Sequence, residues 1–114
     1  MKSDTDAEAP MHYIEELERW VIGHSKISDT EFEFYLVNFP ISKVRIKVYQ
    51  IPDSSLFLAV TDHKIKSTKT SYSILPIGKS HDPNQAIAIT LIKFINNGNV
   101  VECEENPEYS KESF

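Results

Sequence analysis

A helical apolar period at each end of this 114-residue chain, with period-two alternation between them, predicts an α+β fold: an antiparallel sheet of three to four strands with two helices packed on one face. The alternation is cleanest over Lys43–Ile51, where Val44, Ile46 and Val48 interleave with Lys43, Arg45 and Lys47. The helical period is widest late in the chain, where Ile87, Ala88, Leu91, Ile92, Phe94 and Ile95 form one apolar face.

The elements follow in order. Residues 1–9 read as a flexible acidic tail, and 10–103 as one domain. Tyr13, Ile14, Leu17, Trp20 and Val21 recur at three- and four-residue steps, with Pro10 suited to a first turn and Gly23 to a stop, so a helix is expected over about 10–23. Strands are expected at about 30–38, 43–51, 55–62 and 70–77, the last ended by Pro76 and Gly78. A hairpin centred near Pro40 would set Lys47 opposite Glu33, Arg45 opposite Tyr35 and Lys43 opposite Val37. The stretch Thr61–Thr70 reads as a polar connection. Asp82 can cap a helix beginning at Pro83, with Gln85 completing a capping box and Gly98 after the last apolar residue, which places the second helix at about 83–97. Thr90, Lys93 and Asn97 mark its wet side. Val100, Val101 and Cys103 allow one more short strand before an acidic tail over 104–114.

Charge is unevenly distributed along this frame. Residues 41–93 carry eight basic side chains against three acids, although the whole chain has a formal charge of −5. A basic middle in an acidic protein either neutralises itself on folding or offers a positive face to an anionic partner. Two clusters pose that choice. Lys43, Arg45 and Lys47 line one strand face with Tyr35 and Tyr49 interleaved, a pattern on which single-stranded nucleic acid could stack, but Glu31 and Glu33 share the face. Lys64, Lys66 and Lys69 have only Asp62 as a near neighbour of opposite sign, and belong either to a soluble loop or to a strand edge whose lysines discourage edge-to-edge pairing. On the helices, Ile89 falls among Gln85, Lys93 and Asn96, and Ile22 and Met11 lie beside Glu15 and Glu18, a possible patch for a partner or a second copy.

Catalytic and metal signals are weak. Gly78-Lys79-Ser80 precedes a helix, but a Walker loop needs glycine where Ser73 stands, so Lys79 and Ser80 read as loop residues. His12, His24, His63 and His81 are scattered, and His24 reads as a core-edge residue of the first helix. The single cysteine, Cys103, has acidic neighbours and points to a reducing compartment. No apolar run approaches a bilayer span, and the polar, acidic start is unlike a signal peptide, so a cytoplasmic location is expected.

The helix–strands–helix order is similar in outline to that of double-stranded-RNA-binding domains. Where that family carries lysines at its second helix, this chain reads Ser80-His81-Asp82-Pro83-Asn84-Gln85, so the resemblance is one of element order and brings no site residues with it. The functional expectation is a small non-catalytic interaction or regulatory module, with no metal and no cofactor, binding a protein partner or a second copy through its helical layer or sheet face. The alternative is a weak nucleic-acid-binding domain using Lys43, Arg45, Lys47, Lys64, Lys66 and Lys69.

Overall fold

Alternation decides most of the sheet. The computed structural model describes residues 17, 19–68, 72–95 and 100–109. In chain order these hold β1 (Val21–Ser28), β2 (Glu31–Leu36), β3 (Lys43–Gln50), β4 (Phe57–Thr61), β5 (His63–Ser67), β6 (Ile77–Ser80), the helix α1 (Pro83–Ile95) and β7 (Val100–Glu105). β1, β2, β3, β4 and β6 lie side by side in that order as an antiparallel five-stranded sheet, and β5 pairs with β7 in a separate two-stranded sheet. The fold is α+β, with one helix among the described residues. That helix packs across β6, β4 and β3. Beneath it Val44, Ile46 and Val48 are buried with Phe34, Leu36, Ala59, Ile87, Leu91 and Phe94.

Three expectations for the sheet need correction. The helix expected over 10–23 does not extend through its last residues: Val21–Gly23 begin β1, whose pairing with β2 takes their backbone groups. Leu17 is buried in the core, and Met11, Tyr13 and Ile14 lie outside the described residues. Gly23 is therefore no stop. It sits across from Tyr35, whose Cδ2 would be 3.6 Å from an added Cβ.

The β2–β3 hairpin is shifted by two residues from the expected register. Glu31 faces Lys47, Glu33 faces Arg45 and Tyr35 faces Lys43. The cause lies in the turn. Leu36 N–H bonds the Ser42 carbonyl at 2.7 Å, whereas Val37 N–H turns away to the Trp20 carbonyl at 2.9 Å, so Val37 leaves the ladder. Asn38, at φ 58°, takes the left-handed conformation that asparagine tolerates. A shift of two keeps every side chain on its face.

The expected strand over 70–77 is replaced by β6. Ile74 makes only an isolated bridge to Ile65, and Pro76, lacking an N–H, separates it from Ile77–Ser80. Lys79 and Ser80 thus belong to a strand rather than a loop. Gly78 is inside that strand because the helix lies directly on it. A Cβ there would stand 2.3 Å from the Ala86 carbonyl oxygen and 2.6 Å from Thr90 Oγ1.

The same close approach corrects the helix. Thr90, assigned to the wet side, is fully buried and donates its hydroxyl to the Ala59 carbonyl at 2.7 Å. The helix start is capped as expected by Asp82, whose Oδ1 accepts the Asn84 N–H at 3.0 Å. The capping box expected from Gln85 is replaced: Ser80 Oγ, not Gln85, accepts the Asp82 N–H at 3.1 Å, and the Ser80 hydroxyl donates to Gln85 Oε1 at 2.7 Å. Asn96, Asn97 and Gly98 lie outside the described residues.

Gly78→Ala should lower unfolding stability by about 3 kcal/mol, because the clashing atom is helix backbone. Gly23→Ala, meeting only ordinary contact, should stay within about 0.5 kcal/mol of the parent. Urea unfolding of the two variants separates close packing from a general intolerance of glycine replacement.

Candidate functional site

Both basic clusters are met by acidic strands of the same chain. On the outer face of the five-stranded sheet, Arg45 Nε donates to Glu33 Oε2 at 3.1 Å, and its Nη1 lies 3.9 Å from Glu31 Oε2. Lys43 Nζ stands 3.8 Å from Glu33. Tyr35 donates to Glu33 Oε1 at 3.3 Å and shares a 2.7 Å hydrogen bond with Ser25 Oγ. Glu33 is buried, and the Arg45 guanidinium, aided by the charge of Lys43, holds its carboxyl below the ordinary value of 4.5 against the opposing effect of burial. Glu33 in turn raises Arg45.

Part of this face is covered from the C-terminal side. Tyr109 is buried, donates its hydroxyl to Glu31 Oε2 at 2.8 Å and lies under Lys47, whose Nζ is 4.7 Å from the ring centroid. Lys47 also donates to the Tyr109 carbonyl at 2.8 Å. Burial, and then Glu31, push the Tyr109 phenol upward, so it stays protonated. Tyr49, half-buried, is on β3 beside Lys47.

Of the loop and the strand edge that the second cluster allowed, the structure has a strand, and one that is paired. β5 alternates, with Ile65 and Ser67 buried and Lys64 and Lys66 half-buried. Its partner β7 sets Glu104 opposite Lys64, Glu102 opposite Lys66 and Glu105 opposite His63. The stretch expected as an acidic tail from 104 thus begins inside a strand. Lys69 lies outside the described residues. Cys103 faces Ile65 on β7, and burial, with Asp62 and Glu102 nearby, pushes its thiol up to about 11, which makes it a poor nucleophile at neutral pH.

The two sheets meet at Asp62. Its N–H bonds the Arg45 carbonyl at 2.9 Å, and its Oδ1 accepts the Arg45 N–H at 3.0 Å and lies 2.9 Å from His63 Nδ1. Buried Asn106 closes the corner: its side-chain amide donates to the Thr61 carbonyl at 3.1 Å and its N–H to the Asp62 carbonyl at 2.9 Å. A shallow cleft of about 210 Å³ lies here among Asp62, His63, Glu105 and Tyr109. Among the described residues, no group of three or more His, Cys, Asp or Glu side chains could hold a metal ion. None of the described helices is long and apolar enough to cross a membrane.

A different concavity lies on the helix side. Where α1 begins, the inner face of β2–β4 runs on beyond it, leaving a cleft of about 330 Å³. Phe32, Val48, Phe57 and Ile87 line its apolar part, and Asp29, Thr30, Gln50 and Asn84 its polar part. Sequence reasoning missed this site, since its residues come from four separate segments that no local period connects. The one available signal was Asp29-Thr30, a two-residue turn between β1 and β2.

Remaining candidates are dispersed. Ile89 is half-buried on α1, while Ile22 is on β1 rather than on a helix beside Glu15 and Glu18. Ile22 and Ile27, 64% and 44% exposed, fall at the two places where β1 slips register against β2. His24 is exposed on β1, stacked 5.7 Å from Phe34, and does not edge a helical core.

Tyr109→Phe should cost about 1 kcal/mol and Tyr109→Ala about 3 kcal/mol by denaturant unfolding, the difference reporting ring packing over the sheet. Glu33 supplies a pH signature. Its folded value lies below 4.5, so its stabilising effect is complete above that pH and is lost as pH falls through the folded value. Glu33→Gln should therefore melt well below the parent at pH 7, and the gap should shrink steadily below pH ~4.5. Comparison of the chain with protein-family models, curated proteins and solved structures produced no match.

Proposed function

We propose that this protein is a small non-catalytic interaction module that engages another protein chain on its helix side, at the cleft beside the start of α1. The observation that carries this reading is the contrast between the two faces. Acidic strands answer the outer face's basic residues, and Tyr109 covers part of it, whereas the inner face leaves Phe32 and Phe57 only half-buried beside an open apolar concavity. Apolar clefts with a few convergent polar groups are common recognition sites.

The alternative, a nucleic-acid binder, would need a coherent positive surface. Lys43, Arg45 and Lys47 work against Glu31, Glu33 and the Tyr109 carbonyl, and Lys64 and Lys66 face Glu104 and Glu102. Titration with single-stranded and duplex RNA and DNA at low and physiological salt separates the two. The expected result is a Kd weaker than about 100 μM even at low salt. Micromolar binding with a steep salt dependence would overturn the module reading.

A further inference from the structure

We infer that the cleft at the start of α1 takes an aromatic or branched aliphatic side chain of a partner polypeptide with a lysine or arginine directly beside it. This rests on the reading of the protein as an interaction module and specifies what that module recognises. The floor sets the first requirement. Half-buried Phe32 and Phe57 offer the accessible apolar surface, with buried Val48 and Ile87 beneath them, in a volume of about 330 Å³ that accepts a ring or a branched chain.

The rim sets the second. Of the nine lining residues only Asp29 carries a formal charge. Its carboxylate is 96% exposed and lies 3.3 Å from Lys26 Nζ, itself 61% exposed, an ion pair weak enough to exchange for an incoming cation. Gln50 directs its amide nitrogen to the Ser54 carbonyl at 3.0 Å, and its oxygen remains an acceptor. A helix start ordinarily favours an anion. Here Asp82 already takes the Asn84 N–H, which places a second carboxylate at that end of the helix. The formal charge of −5 over the whole chain draws the same sign of partner.

The test uses the full chain, labelled with ¹⁵N, and three short probes: acetyl-Trp-Lys-amide, acetyl-Trp-Glu-amide and acetyl-Gly-Lys-amide. The expected result is saturable shifts of the Thr30, Gln50 and Ile87 amides with the Trp-Lys probe, at least fivefold weaker binding of Trp-Glu, and no saturation with Gly-Lys. Asp29→Lys, at an exposed turn position, should reverse the preference between Trp-Lys and Trp-Glu. Thr30→Trp, also exposed, should obstruct the mouth and weaken Trp-Lys at least tenfold while the rest of the spectrum keeps its native dispersion. Equal binding of the two Trp probes, or shifts confined to other surfaces, would overturn the inference. Absent peptide binding together with absent nucleic-acid binding would remove this inference alone. Absent peptide binding with steeply salt-dependent nucleic-acid binding would remove both readings.

Discussion

The corner at Asp62 is the constraint on which the architecture depends. The chain must leave the five-stranded sheet after β4 for β5 to join a second one, and a bend of that kind exposes backbone carbonyls inside the protein. Asn106 takes two of them, those of Thr61 and Asp62, with its side chain and its own N–H. Buried polar groups that go unpaired are costly, so this one residue permits the change of sheet and fixes where β7 ends. Tyr109 lies three residues on, and its place over Glu31 and Lys47 follows from that anchor.

The anchoring explains how an acidic protein with a basic middle neutralises itself. Strand pairing puts residues from distant parts of the chain in register, so the acids of β2 meet the bases of β3 and the acids of β7 meet those of β5. The outer face becomes a connected polar network from Ser25 through Tyr35, Glu33 and Arg45 to Glu31 and Tyr109. With charge thus balanced on one side, the other side holds the less satisfied surface.

How much of this was legible in the sequence depends on how local each signal is. β3 and α1 were readable because alternation, Pro83 and the Asp82 cap lie within a few residues of one another. β1 was not, because Val21 continued a helical spacing begun upstream and only pairing with β2 overrides it. β5 was ambiguous, because its lysines suit a loop or a strand edge alike until glutamates far along the chain supply the partner strand. Gly78 and Thr90, taken singly, read as the end of a strand and a wet-side polar residue. Together they mark one close contact of helix on strand. The Phe32–Phe57–Ile87 cleft had no local signature, since it is a property of packing.

The pairing of β5 with β7 has a consequence during folding. His63–Ser67 and Val100–Glu105 lie far apart in the chain, so β5 spends part of folding without the strand that covers it. Through that interval β5 is a short strand with an open side, the kind of segment that recruits a neighbouring chain. Lys64 and Lys66 place like charges on it just then, and such residues discourage strand-to-strand association between copies. The side chains that face Glu104 and Glu102 in the finished fold thus have a second effect, as charges that disfavour pairing with another copy of the same strand before β7 docks.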